Sequence, residues 1–240
     1  MKVVTIIQAR VGSTRLPGKV LKPLDDSNVL SYVVERCRRI EGVGAVVVAT
    51  SDLQQDDAIA KWCEDKSVAY YRGSEQDVLD RYVQAAKPYQ PDYVMRVTSD
   101  CPFVDYEMAS DVVSLMEKEQ KDIVLMDGEL PRGLAVELIS YEALLHIHEV
   151  GKEPRHREHV TYFAYEYAEK FNSVTYKVPS NRLAPELRIT LDTPEDYQLI
   201  SAVANHFNDA LVSSSKVIKY LRETPEVATL NAHIEQKPVI

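Results

Sequence analysis

The sequence has no long apolar run. None of its segments approaches the ~20 residues that a bilayer-spanning helix needs. Lys2 is followed by only five apolar or β-branched residues before Gln8, too few for the apolar stretch of a secretory signal. Cysteine is scarce. Cys37, Cys63 and Cys101 are far apart, odd in number and form no C-x-x-C pair. That argues against a disulfide framework and against a thiolate zinc site, and the chain reads as cytoplasmic and reduced. Excess positive charge is missing too: 28 basic residues against 37 acidic ones give a net charge of −9, the wrong balance for a general nucleic-acid binder. No repeat array and no low-complexity linker interrupts the 240 residues. What remains, 45% hydrophobic and 27% charged, is the composition of a soluble globular protein large enough to bury its own core.

One absence is local. Residues 3–24, VVTIIQARVGSTRLPGKVLKPL, contain no acid but hold Arg10, Arg15, Lys19 and Lys22. The β-branched start predicts a buried strand over 2–7. Further strands are expected at 44–51, 68–73, 92–100 and 122–126, alternating with amphipathic helices at 28–40, 54–66, 76–87 and 104–120. In the first helix Leu30, Val33, Val34 and Cys37 share one face. Alternation of this length builds an α/β fold with a mostly parallel sheet and right-handed crossovers. After residue 126 the rhythm breaks. A β excursion of short antiparallel strands is expected around Pro131-Arg132-Gly133 (127–140), then helices at 141–149 and 154–169. Strands at 171–179 and 186–192 follow, then closing helices at about 194–207 and 214–222. Residues 231–240 are weakly patterned and expected to fray. The whole chain reads as one domain.

In open parallel sheets ligands bind beyond the carboxyl ends of the strands, where the basic loop leaves the first strand. Gly12 and Gly18 permit close backbone approach, Ser13 and Thr14 add hydroxyls, and Arg10, Arg15 and Lys19 add charge. Amides and fixed cations together suit a polyphosphate. The loop is not a Walker A motif: five residues separate Gly12 from Gly18, and Val20 stands where the magnesium-binding hydroxyl belongs. Nor is it a dinucleotide G-x-G-x-x-G.

A second signal is an internal echo. RVTSDCP (96–102) and RITLDTP (188–194) both read R-[VI]-T-x-D-x-P. Each Asp is expected at a strand end, on the edge that carries the loop. If those strands are neighbours, Asp100 and Asp192 face one Mg²⁺ site, completed by phosphate oxygens. Either Asp alone could instead be a helix N-cap, since D-x-P also fits a cap.

These residues carry a resemblance. IIQARVGSTRLPGK is similar to the A-R-x-x-S-x-R-x-P-x-K signature of cytidylyltransferases that make CMP-activated acidic sugars. YYRGSEQDVLDRY, RVTSDCPFVD, REHVTYF and LRITLDTPEDY resemble the spore coat polysaccharide biosynthesis branch of that family. The resemblance implies a nucleotide-diphospho-sugar transferase (Rossmann-like) fold and the Mg²⁺-dependent reaction of CTP with a sugar to give CMP-sugar and pyrophosphate. Carried to matching positions, it implies that Arg10, Arg15 and Lys19 hold the triphosphate, with Ala9, Gly12 and Ser13 of the loop near the nucleotide. Asp100 and Asp192 would hold metal, while Arg72, Ser74 and Asp77 would make base and sugar contacts. The chemistry agrees: attack on the α-phosphorus needs phosphate charge neutralised and pyrophosphate helped to leave.

This chain departs from the branch in the excursion. Where the branch reads D-G-L-D-V-E, the sequence has Arg132-Gly133-Leu134-Ala135-Val136-Glu137, keeping only the last acid. Arg132, Glu137 and His159 are taken as acceptor-side residues, and Arg132 suits a more anionic acceptor. The two histidines of HREH (His156, His159) lack a third ligand for a metal site. Tyr162, Tyr165 and Tyr167 are expected to pack a helix or a subunit interface. The rival functions are a nucleotide-binding pseudoenzyme, favoured by Arg132 and Ala135, and a glycosyltransferase using a nucleotide-sugar donor, for which no D-x-D is present. The expected partners are CTP and a sugar, with no nucleic acid or membrane. A homodimer formed through the excursion is a further expectation.

Overall fold

The structure is a computed structural model and describes residues 1–235. Its elements in chain order are β1 (Val3–Gln8), a two-residue ribbon β2 (Pro23–Leu24) and β3 (Ser27–Asn28), α1 (Val29–Arg38), β4 (Val43–Ser51), α2 (Asp57–Asp65), β5 (Ala69–Gly73) and α3 (Val78–Ala86). Then come β6 (Tyr93–Thr98), α4 (Tyr106–Glu119), β7 (Ile123–Asp127), β8 (Glu137–Ser140), α5 (Tyr141–Val150), α6 (Pro154–Glu158) and α7 (Tyr162–Glu166). β9 (Ser173–Lys177), α8 (Pro194–Phe207), α9 (Ser214–Glu223) and α10 (Pro225–Ala228) follow.

One seven-stranded sheet runs β5-β4-β1-β6-β8-β7-β9. β1 lies in its middle, parallel to β4 and β6, with Gln8 level with Ala49 and Thr98. Its side chains are buried on both faces, which is why it reads as an uninterrupted β-branched run rather than an alternating one. Val3 and Ile7 join a core with α1, α2 and α4; Val4 and Ile6 join another with α3 and α5. A third core lies apart, where α8 and α9 pack over Leu134, Ile189 and Leu191. β8 is the antiparallel strand, between β6 and β7.

The α/β architecture and the mostly parallel sheet agree with the sequence pattern; the second half needs four corrections. Residues 186–192 are not a strand: the segment touches the excursion through one parallel bridge, Arg132 to Arg188. The excursion itself forms no antiparallel strands before β8. It is a loop whose Leu134 and Val136 are buried inside the chain. The helix expected over 154–169 breaks into α6 and α7, because Val160 turns to φ +52°, an unusual conformation for a β-branched residue. That turn leaves Val160 wholly buried. Finally, Asn231 does not fray but is buried; the part of that expectation on 236–240 lies outside the described residues.

Candidate active site

The basic loop is fastened from below. The Val11 amide donates to Asp56 Oδ1 at 2.6 Å, and the buried Asp56 also accepts the Ser51 hydroxyl. The Gly18 amide closes the loop onto the Val11 carbonyl at 3.2 Å. Gly18 has φ +67°, a left-handed conformation that glycine adopts without steric cost. The chain then turns through Lys19–Leu21 with Val20 buried. Among the described residues, the amides of Gly12, Thr14 and Arg15 have no acceptor. A loop with amides left open beside fixed cations is an anion cradle.

Lys19 reaches from this loop to both echoed carboxylates. Its Nζ donates to Asp100 Oδ2 at 3.0 Å and to Asp192 Oδ1 at 2.8 Å. Asp192 Oδ2 accepts Arg188 Nη2 at 3.0 Å and faces Arg15 Nη2 at 3.4 Å. The two aspartates meet because the 188–192 segment runs beside the end of β6: the Leu191 amide donates to the Asp100 carbonyl at 2.8 Å, and Thr190 Oγ1 at 3.1 Å. Neither is a helix cap. The cap of α4 is Asp105, accepting from the Met108 amide, and that of α8 is Thr193, accepting from the Asp196 amide.

Asp100 Oδ2 and Asp192 Oδ1 thus converge on one cation position, held here by an ammonium. Two hard oxygens with room for phosphate and water oxygens fit Mg²⁺. No cluster of three or more His, Cys, Asp or Glu able to hold a metal occurs among the described residues, so a divalent ion here would draw its other ligands from the nucleotide and water.

The cavity above this pair has a volume of about 890 Å³ and is lined by Arg10, Arg15, Lys19, Arg81, Arg96 and Arg132 against four acids, Asp100, Glu137, Glu158 and Asp192. It gathers positive charge in an acidic chain, as expected for a polyphosphate site. Ala9, Gly12, Ser13 and His159 also line it. Arg72, Ser74 and Asp77 do not. Arg72 donates to the Ser51 and Leu53 carbonyls and pairs with Asp57; Asp77 caps α3 and pairs with Arg157. The Ser74 carbonyl accepts Arg81 Nη1 at 2.8 Å, so it is Arg81, a buried residue, that carries this stretch to the cavity.

Other wall residues escaped the sequence reading. Arg96 Nη1 donates to Glu137 Oε2 at 2.9 Å, and the Thr161 hydroxyl shares that oxygen. The signal was present, since Arg96 heads the first echoed heptad as Arg188 heads the second. Tyr162 and Tyr165 line the cavity, whereas Tyr167 packs on Phe163. The HREH histidines part company: His156 is buried against Glu166 at 2.6 Å, and His159 faces the cavity. Burial, then the Arg96 charge, hold the His159 imidazole below its usual range, so it is neutral at pH 7.

Burial pushes the Asp100 carboxyl up, but the Lys19 charge and hydrogen bonds from Thr98 and Lys19 together outweigh it, and the group sits below its ordinary 3.8. Burial likewise pulls Lys19 down, and the two carboxylates outweigh that, holding it above 10.5. Asp100 therefore stabilises the fold above pH 3.8 and loses this contribution as pH falls through its lowered value. Lys19 stabilises it below pH 10.5 and loses this as pH rises through its raised value. The difference in Tm between wild type and Lys19→Met is expected to stay constant from about pH 5 to 9 and to shrink outside that window. A difference that varies inside the window would show that other groups control the cluster.

The cytidylyltransferase family model matches residues 4–234. The chain belongs to the cytidylyltransferase family. It is a nucleotidyltransferase, and the spore coat polysaccharide biosynthesis protein SpsF of Bacillus subtilis is 34% identical over 93% of this chain and 95% of its own. The 3-deoxy-manno-octulosonate cytidylyltransferase of Anaeromyxobacter dehalogenans is 32% identical over 68% of this chain and 73% of its own. A solved cytidylyltransferase from Leptospira borgpetersenii superposes with a TM-score of 0.89 at 30% identity, covering 99% of this chain and all of that one. The cytidylyltransferase described here thus has the nucleotide-diphospho-sugar transferase fold. None of its described helices is long and apolar enough to cross a membrane, and its three cysteines are free and buried.

Proposed function

We propose that the protein transfers CMP from CTP to a hydroxyl of a sugar, with Mg²⁺, releasing pyrophosphate, in the assembly of a cell-surface or spore coat glycan. The observation that carries this reading is Lys19 bridging Asp100 and Asp192 beneath the open amides of the loop. The glycan role is supported by the likeness to SpsF.

In the reaction the acceptor oxygen forms a bond to the α-phosphorus, the bond from that phosphorus to the bridging oxygen of the β-phosphate breaks, and the hydroxyl proton passes to solvent. Arg15, Lys19 and the loop amides hold the β- and γ-phosphates and stabilise the charge that grows on departing pyrophosphate. Asp100 and Asp192 would hold Mg²⁺, which when bound supplies charge neutralisation and a lowered pKa for the attacking hydroxyl. For the ion to meet both carboxylates, Lys19 must turn from them to the phosphates. On the acceptor side, Arg132 is exposed on the wall and makes no side-chain hydrogen bond or ion pair among the described residues. Such an open guanidinium suits a sugar carrying a carboxylate.

The test is pyrophosphate release from CTP, UTP, ATP or GTP with Mg²⁺, across acidic and neutral sugars. Release is expected with CTP and an acidic sugar, and to fall to background without Mg²⁺. Release with every nucleotide would refute the base assignment, and release only with neutral sugars the reading of Arg132. CTP bound without release from any sugar would leave a nucleotide-binding protein of the same fold.

A further inference from the structure

Behind Asp192 lies a buried polar relay that ends in the last described turn of the chain. Asp196 is fully buried, and both its oxygens are taken. Oδ1 accepts Arg188 Nε at 2.8 Å and Asn231 Nδ2 at 2.8 Å. Oδ2 accepts Arg188 Nη2 at 3.0 Å and the amides of Asp192 and Thr193 at 2.9 and 3.1 Å. The Arg188 guanidinium is therefore held by a two-point contact with one carboxylate, a geometry that fixes its plane. The same Nη2 that touches Asp196 also donates to Asp192 Oδ2. That contact orients the Asp192 carboxylate so that its other oxygen, Oδ1, faces Lys19.

Asn231 closes this relay from outside. It is 1% exposed, its side-chain amide donates a second hydrogen bond to the Arg188 carbonyl at 3.0 Å, and its backbone carbonyl accepts the Ile234 amide at 3.0 Å. Both donor protons of its side-chain amide are thus directed to the Arg188–Asp196 pair. A neutral donor suits this position: an acid there would oppose Asp196, and an apolar residue would leave the Arg188 carbonyl without its bond.

We propose that Asn231 is a positioning residue for Asp192, acting through Asp196 and Arg188 to aim one carboxylate oxygen at the shared cation position. This rests on the reading of Asp192 as a cation ligand. Groups behind a metal ligand typically change metal affinity by about 10- to 100-fold when removed.

The test is Mn²⁺ binding by electron paramagnetic resonance, with CTP present, on the full chain. Asn231→Ala is expected to weaken Mn²⁺ about 10-fold and Asn231→Asp more, with CTP affinity in the absence of metal unchanged. In an Asp192→Ala background, Asn231→Ala should add nothing. Unchanged Mn²⁺ affinity beside a lowered Tm would overturn the proposal, as would equal weakening in both backgrounds. A metal-free readout separates the two readings: hydrogen exchange of the Arg188 Nε–H, followed by NMR, should quicken at least about 10-fold in Asn231→Ala as Arg188 loosens. If wild type binds no Mn²⁺ but this exchange quickens, the metal reading fails and the positioning role stands. Unchanged exchange would remove the positioning role.

Discussion

Asp100→Ala should lower pyrophosphate formation by about 10³-fold, the scale on which removing one preorganised charge contact lowers turnover, while the protein stays folded. The first half of that expectation follows from where the carboxylate sits. Asp100 Oδ2 is one of two oxygens that meet at Lys19 Nζ, and no other carboxylate approaches that point closely enough to replace it among the described residues. The second half follows from what the carboxylate does not do. It caps no helix, since Asp105 performs that role for α4, and Lys19 keeps Asp192 as a partner when Asp100 is removed. The Asp100 carbonyl, which holds Leu191 and Thr190 in place, is backbone and survives the substitution. Circular dichroism should therefore match wild type, and the calorimetric Tm should fall only by the share that the Asp100–Lys19 pair contributes, while turnover drops about 10³-fold. Retained turnover would remove Asp100 from the reaction, and a collapsed Tm would make it a structural residue.

Gly133→Ala is expected to act in the opposite sense, through the fold. Gly133 has φ +101°, and an added Cβ would lie 2.4 Å from the Ile189 carbonyl oxygen, 2.7 Å from its carbon and 2.9 Å from the Thr190 nitrogen. All three are backbone atoms, so no rotamer change relieves the contact. They also belong to the segment that hydrogen-bonds Arg132 on both sides, through the Leu187 carbonyl and the Ile189 amide. Forcing these two segments apart would separate Arg132 and Asp192 from the rest of the cavity. The conformational penalty and the overlap together suggest a loss of about 3 kcal/mol or more, a fall in Tm of about 6–12 °C for a chain of this size, with CTP turnover reduced alongside. Gly18→Ala is the control: φ is also positive, but nothing lies within 4 Å of the added carbon, so its cost should be limited to the left-handed backbone penalty of about 1–2 kcal/mol. A Gly133→Ala protein as stable as Gly18→Ala would show that the excursion yields where the backbone contact says it cannot.

The first half of the chain was legible because its signals are local. β1, β4, β5 and β6 and the helices between them follow from β-branched runs and helical periodicity, and each lies within a few residues of the range its pattern predicts. The loop was legible because glycines, hydroxyls and cations stand together without an acid. The errors fall where a long-range contact overrides local preference. Residues 186–192 have the composition of a strand, but their extended backbone lies against the excursion and the end of β6, making a single bridge instead of joining a ladder. Residues 154–169 have helical periodicity, yet Val160 bends to reach the core and brings Thr161 to Glu137. The resemblance implied Arg72 as a base or sugar contact; its guanidinium here donates to the Ser51 and Leu53 carbonyls and does not line the cavity. Arg81, nine residues on, lies on the cavity instead.

By itself the sequence determined the class of fold, the cationic, acid-free character of the opening loop and the matched settings of Asp100 and Asp192. Periodicity, turn chemistry and local charge density are written in neighbouring residues. Only the tertiary structure decided that one lysine joins those two aspartates, that Arg81 and Arg96 reach the cavity while Arg72 does not, and that Asn231 stands behind Asp192. Each of those facts is a distance between residues far apart in the chain, fixed by burying apolar side chains on both faces of one sheet and under α8 and α9. No local pattern encodes where such packing will bring two distant side chains together.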